Sequence, residues 1–291
     1  MNLRNMSNLS QRLIVGTAST FIMFLSIFLS WEKTTRPFFV LLIAGIIGCA
    51  LYEFYAIAIN KKYYPLRSCS IGCSALYVLA TFLSTQSPLF HALPLFVLYF
   101  TLIIVFAFFF VQGEHPLPTI AITLFGLAYI TLPLSFMISI NYFFPENSTQ
   151  DGRLWLSYLL IVTKMTDTGA YIAGKIFGKN KITPYISPSK TFEGAIGGFL
   201  ATTATSVLFC IITGAFFPKP LDLSLSQSLF LGMLIATIAQ FGDLAESLLK
   251  RDGHVKDSNQ LPGLGGVLDM FDSLIFTAPL VYFFLISTHI R

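Results

Sequence analysis

Residues 68–113 read SCSIGCSALYVLATFLSTQSPLFHALPLFVLYFTLIIVFAFFFVQG, 46 positions without one Asp, Glu, Lys or Arg. A helix needs roughly 20 apolar residues to cross the hydrocarbon of a bilayer, so this run holds two crossings. Ser, Pro and His interrupt the apolar pattern between Gln86 and Pro94, which puts the turn there. Inside a bilayer the backbone has no water to bond, so a spanning segment is either a helix or a strand of a closed barrel. Barrel strands are short and alternate polar with apolar residues. This run is continuously apolar, which selects helices.

The same reading extends in both directions. Residues 13–31, 115–145, 194–218, 223–242 and 273–290 also lack charged residues. Two further spans carry embedded charge: 37–59 around Glu53, and 154–177 around Lys164 and Asp167. With a last span at 266–288 that begins with acids, the expectation is an all-α integral membrane protein of nine transmembrane helices. Composition agrees, with 55% hydrophobic and only 11% charged residues. The whole chain, 1–291, reads as a single membrane domain. Residues 1–150 form a largely apolar scaffold in which Tyr52 and Glu53 stand out, and residues 151–291 collect the polar chemistry. Arg4 and Arg12 precede an apolar run, yet no small-residue cleavage site follows before Trp31, so a retained first span is expected.

Basic residues set orientation, because Lys and Arg favour cytoplasmic loops. Placed on alternate sides of nine spans, 12 of the 18 Lys and Arg fall with the N-terminus and five fall opposite, Lys164 lying within a span. The N-terminus is expected in the cytoplasm and the C-terminus on the other side. The net charge of +4 then reflects a basic cytoplasmic surface near anionic headgroups, with no nucleic-acid partner required. Cys49, Cys69, Cys73 and Cys210 sit in apolar segments without CxxC spacing and read as packing residues.

Two segments carry chemistry. The first, FGDLAESLLKRDGHVKDSNQLPGLGGVLDMFDS, covers 241–273. At about 100° per residue, Asp243, Glu246, Ser247 and Lys250 share one face of a helix. Asp269, Asp272 and Ser273 share a face of the next. An Asp at the centre of a membrane helix costs about 2.5–3.5 kcal/mol, so such acids line a wet cavity or hold a cation. Carboxylates beside Lys250, Arg251 and Lys256 suit Mg²⁺ shared with a polyphosphate, a second cation being an open option. The turn with Gly263, Gly265 and Gly266 would let backbone N–H groups approach an anion. The second segment, DTGAYIAGKIFGKNKITPYISPSKTFEGAIGG, covers 167–198. Asp167, Tyr171 and Gly174 follow one helical face. A loop with Lys175, Lys179, Lys181, Ser187 and Lys190 comes next, and Glu193 opens the following helix.

At these residues the chain resembles a known family. Ser247 to Arg251, then Lys256-Asp257, Pro262-Gly263, Gly265-Gly266, Leu268-Asp269 and Asp272-Ser273 resemble the signature of phosphatidate cytidylyltransferases. The 167–198 segment is similar to that family's second motif, an Asp-Thr-x-Ala-Tyr stretch ahead of Ser-Pro-x-Lys-Thr and an aromatic-Glu-Gly. The resemblance covers about a quarter of the chain and implies a Mg²⁺-dependent attack by a phosphatidic acid oxygen on the α-phosphorus of CTP. The products are CDP-diacylglycerol and pyrophosphate, made for phospholipid synthesis. By the same matching, Asp243, Asp269 and Asp272 are the metal candidates. The catalytic set adds Lys250, Arg251, Lys256 and Asp257, with Lys190 also neutralising phosphate charge. Asp167, Tyr171, Ser187, Lys190, Thr191, Glu193, Ser247, Gly265 and Gly266 are the substrate-binding candidates. The membrane implied is a bacterial inner membrane with the site facing the cytoplasm; a homodimer is left open. The chain departs from the pattern at Leu264, where many relatives have His, and at Met270, where they have Arg. The loop from Asp257 to Pro262 is one residue short, and His254 stands near enough to suggest a substitute donor, although a loop histidine is more often solvated.

Three other readings compete. A polyprenol or dolichol kinase would share CTP chemistry, but the long signature favours phosphatidate. A cation-coupled transporter would spread Asp167, Asp243, Glu246 and Asp272 through the membrane depth, whereas these acids gather near Lys/Arg-rich loops. A purely structural role would use Ser, Asn or Gln between helices rather than clustered acids.

Overall fold

A computed structural model describes residues 8–112, 116–255 and 266–289. Lys256, Asp257 and Gly265 lie outside them, as do Leu264 and the shortened loop. The described chain is all-α apart from one hairpin. Helices α1 (Asn8–Leu29), α2 (Arg36–Asn60), α3 (Arg67–Gln86) and α4 (Leu93–Gln112) follow in order, with a 3-10 turn at Pro88–Phe90 where the apolar run is interrupted. Helix α5 (Pro116–Gly126) continues through a π-helical segment, Leu127–Thr131, into α6 (Leu132–Asn141). Helix α7 (Gly152–Phe177) leads to strands β1 (Lys181–Thr183) and β2 (Ser187–Thr191), which pair antiparallel. Helices α8 (Phe192–Phe216), α9 (Leu225–Asp252) and α10 (Val267–His289) complete the chain.

Among the described residues, seven stretches are long and apolar enough to cross a membrane: Arg36–Asn60, Arg67–Gln86, Pro88–Phe110, Pro116–Asn141, Phe192–Phe216, Leu225–Asp252 and Val267–Thr288. The other two expected spans are helical but fall outside this group. The apolar stretch Gly16–Leu29 of α1 is shorter, and α7 carries Arg153, Lys164, Asp167 and Lys175. The expected eighth span, 223–242, corresponds to α9, which runs on to Asp252 and carries the polar face with it.

By compactness the chain divides into two units. The first comprises Met1–Ile138 and Asp252–Phe271. Its core is the fully buried stripe Phe39, Ile43, Ile47, Leu51 and Tyr55, set four residues apart along α2. The Tyr55 hydroxyl donates to the Thr123 carbonyl at 2.8 Å. Thr123 Oγ1 in turn accepts the Leu66 N–H at 3.0 Å.

The second unit comprises Ser139–Arg251 and Asp272–Arg291. Its tightest packing joins α7 to α8 through small residues four apart: Gly169 and Ala173 on α7, Gly197 and Ala201 on α8. A Cβ on Gly197 would stand 2.1 Å from the Ala173 Cβ, and one on Gly169 would stand 2.4 Å from the Ala201 Cβ. In a bilayer the hydrophobic effect does not distinguish a helix from lipid, so close backbone approach and interhelical hydrogen bonds supply the association. The hydroxyl contacts are Thr166 with Thr202 at 2.8 Å, Tyr158 with Ser206 at 2.6 Å, and Thr163 to Thr277 at 3.1 Å. These bonds fasten α7 to α8 and α10.

The glycines therefore separate by environment. Gly197→Ala is expected to lower the melting temperature of the detergent-purified protein, the loss of stability being the roughly 1–3 kcal/mol typical of overpacking. Gly45, with nothing within 4 Å of its would-be Cβ, should tolerate Ala with an unchanged or higher melting temperature. Equal behaviour of the two variants contradicts the crossing described.

Candidate active site

Three helices of the second unit contribute the acids. Gly242 sets the crossing of α9 and α10: a Cβ there would meet the Asp272 carbonyl at 2.8 Å and the Ser273 Cα at 3.0 Å. Ser273 Oγ reinforces it by donating to the Ala239 carbonyl at 3.2 Å. The crossing brings together the segments bearing Asp243 and Asp272, and Asp272 is 5% exposed. Asp243 on α9 and Asp272 on α10 are thus carried by segments that meet at one helix crossing, and Asp167 lies on α7 of the same unit.

Lysines offset this charge directly. Lys190 Nζ stands 2.7 Å from Asp243 Oδ2, and Lys164 Nζ stands 3.3 Å from Asp167 Oδ2. One turn further along α9, Lys250 Nζ stands 2.7 Å from the carboxylate of Glu246, which is 1% exposed. An ionised carboxylate removed from water is tolerated when a cation or strong donors replace the lost hydration. The expectation that Lys190 and Lys250 face phosphate therefore meets a structure in which each holds a carboxylate of its own unit.

The segment read from sequence as a basic loop is an ordered hairpin. Glu193, in the first turn of α8, accepts the Lys179 N–H at 3.0 Å and the Asn180 side-chain amide at 2.8 Å. Thr191 caps α8 by accepting the Gly194 N–H at 3.1 Å, a contact that satisfies one of the helix's unpaired donors. At the turn, Arg251 Nε donates to the Ile186 carbonyl at 3.0 Å. Glu193, Thr191 and Arg251, expected to touch substrate, thus shape the hairpin that carries Ser187 and Lys190. Ser187 is buried, Ser247 is half-buried, and Tyr171 is exposed with Lys175 Nζ 5.9 Å from its ring centre.

In the first unit, Asp269 Oδ2 accepts the Gly266 N–H at 3.2 Å within the first turn of α10. The Gly266 amide, expected to approach an anion, is engaged by this carboxylate. His254 takes a left-handed backbone conformation, φ 55°, just beyond α9, and is exposed. Glu53, which stands out in the apolar first 150 residues, has no role that the sequence assigns. It is 3% exposed and accepts the N–H groups of Val267 and Leu268 at 2.9 and 2.8 Å. The available signal was an acid with no cation one helical turn away.

The donor chemistry suits a hard divalent ion. Mg²⁺ is commonly held by one or two carboxylates together with phosphate oxygens of the substrate rather than by an all-protein cage. Asp243 and Asp272, adjacent at the Gly242 crossing, supply such a pair. Among the described residues, no three His, Cys, Asp or Glu converge closely enough to form a complete ligand set. The residues fit an ion that arrives with phosphate oxygens of its own.

Comparison with known proteins gives a consistent match. The model of the cytidylyltransferase family matches residues 10–288. The phosphatidate cytidylyltransferase of Chlamydia pneumoniae is 35% identical over 264 residues, covering 86% of this chain and 82% of that protein. That of Chlamydia trachomatis serovar D is 31% identical over 301 residues, covering 98% and 95%. That of Bacillus subtilis is 41% identical over 162 residues, covering 55% and 58%.

The Arg251 contact makes a prediction about the hairpin. Arg251→Met is expected to raise the rate of tryptic cleavage at Lys181 several-fold in the substrate-free protein, since the turn at Ile186 loses its donor. An unchanged cleavage rate contradicts a holding role.

Proposed function

Because the chain belongs to the cytidylyltransferase family, we propose that it transfers the cytidylyl group of CTP to phosphatidic acid, giving CDP-diacylglycerol and pyrophosphate for phospholipid synthesis. The observation that carries this reading is the pairing of Lys190 with Asp243 and of Lys164 with Asp167 in the unit where α9 crosses α10 at Asp272, with Lys190 on the hairpin. Acids alone would suit a bare cation, and bases alone a bare anion. Both together suit a triphosphate that enters with a divalent ion.

In the reaction, an oxygen of the phosphatidic acid phosphate forms a bond to the α-phosphorus of CTP. The bond from that phosphorus to the bridging oxygen of the β-phosphate breaks, and pyrophosphate leaves with the electron pair. The attacking oxygen is already anionic, so no protein nucleophile or general base is needed. The work falls to positioning and charge. Asp243 and Asp272 would hold Mg²⁺, with Asp269 one turn earlier on α10; the ion would neutralise charge building on the phosphate oxygens. Lys190 is poised to exchange its Asp243 partner for phosphate. Arg251, with Nε on the hairpin, offers its terminal nitrogens. Ser187, carried on the same hairpin, offers a hydroxyl.

We place this chemistry at the cytoplasmic face of a bacterial inner membrane. Nine spans, counting α1 and α7 with the seven apolar stretches, and the excess of Lys and Arg on the N-terminal side support that placement.

Asp243→Asn and Asp272→Asn each keep side-chain shape and remove charge. Each is expected to lower kcat by about 10²–10³, the cost of removing one electrostatic contributor, with insertion and yield retained. The measurement pairs turnover of labelled CTP into chloroform-soluble cytidine product with a melting temperature on the same preparation. Turnover per folded molecule equal to wild type in Asp272→Asn contradicts the assignment.

A further inference from the structure

Glu53 is a deeply buried acid that the proposed reaction does not use. Its carboxylate, 3% exposed on α2, accepts two backbone N–H groups from a segment 214 and 215 residues away. Those donors, Val267 and Leu268, are the first two residues of α10. The first N–H groups of any helix lack partners within it, and a carboxylate there also meets the positive end of the helix dipole. The N–H of the preceding residue, Gly266, is taken by Asp269 Oδ2 at 3.2 Å. Three consecutive amides are thus engaged by two carboxylates, one local and one from a distant helix.

The geometry has two consequences. The Gly266, Val267 and Leu268 amides face protein carboxylates, so this end of α10 does not serve as a phosphate cradle. The position of α10 along its own axis is also fixed by an anchor on α2. A helix rises 1.5 Å per residue, and a shift of about 1 Å in a catalytic group costs on the order of 10²-fold in rate. Asp269 lies in the first turn of α10 and moves with it.

We propose that Glu53 is a positioning residue for the reaction, a distant N-terminal anchor that sets where the first turn of α10 presents Asp269. This deepens the function proposed above and rests on it. Glu53 touches no reacting atom; its effect passes through the backbone of Val267 and Leu268. Gln is the informative replacement, because its amide has one acceptor oxygen and sets an NH₂ donor against an N–H donor. Pro at position 267 is the complementary one. Proline is accepted at the first position of a helix and removes one of the two donors while leaving Glu53 intact.

The test has a readout independent of activity. Amide exchange across residues 266–270 is measured by mass spectrometry in substrate-free wild type, Glu53→Gln and Val267→Pro, alongside steady-state kinetics. Expected are faster exchange in Glu53→Gln and a kcat lowered by about 10- to 100-fold, with both KM values within about threefold of wild type. Val267→Pro should lower kcat by less, and the double variant should fall no further than Glu53→Gln, since both break one contact. Unchanged exchange in Glu53→Gln overturns the proposal. So does faster exchange with wild-type kcat per folded molecule, which would make the anchor structural only. If Glu53→Gln does not accumulate, wild-type kcat in Val267→Pro overturns it alone. A wild-type protein that makes no CDP-diacylglycerol defeats the proposed function, while the exchange data still decide whether Glu53 holds α10.

Discussion

An ionised carboxylate inside a helix that crosses a low-dielectric layer is unstable until something replaces its water, and much of this chain is arranged around that constraint. Asp243 is answered by Lys190, Asp167 by Lys164 and Glu246 by Lys250. Glu53 is answered by backbone amides at the start of α10 instead, and Glu193, which keeps its access to water, also accepts backbone N–H groups. The two solutions have different consequences. An ammonium group on a flexible stem can be exchanged for another partner. Amides at the start of a helix are fixed in place.

That difference separates chemistry from scaffold. In the function proposed above, a triphosphate and its divalent ion would compete for the lysines paired with Asp243 and Asp167. The amide-paired acids fasten elements instead: Glu193 the entry to the hairpin, Glu53 the start of α10. Small residues then bring the backbones close. Gly169 and Gly197 let α7 and α8 touch, and Gly242 lets α9 meet α10 at Asp272. Since lipid competes with any apolar side chain for a helix surface, close contacts and interhelical hydroxyl bonds carry the association.

Much of this was legible in the sequence. Charge-free runs located the helices, because a spanning segment must be apolar over its length. The spacing of Asp243, Glu246 and Lys250 placed them on one face of α9, and the Lys250–Glu246 pair is the i, i+4 contact which that spacing implies. Other features were hidden for identifiable reasons. The hairpin strands hold three and five residues, too few for alternation to show, and their Lys, Pro and Ser read as loop. The Gly169–Ala173 and Gly197–Ala201 spacings were visible but merged with the motif around them. The role of Glu53 could not be read locally, since its partners lie 214 and 215 residues away and are backbone amides that carry no side-chain signal. Glu193, Thr191 and Arg251 were picked out as functional, and the structure gives each a local contact that orders the hairpin.

The central claim is that this constellation of acids and lysines moves a nucleotidyl group rather than a terminal phosphoryl group. The position of the label in the lipid product decides between them. The purified protein in detergent, given phosphatidic acid, Mg²⁺ and CTP labelled at either the α- or the γ-phosphorus, is predicted to send α-label into the chloroform phase and to release γ-label as pyrophosphate. Chloroform-soluble product carrying γ-label and no α-label would contradict the account and identify a kinase instead.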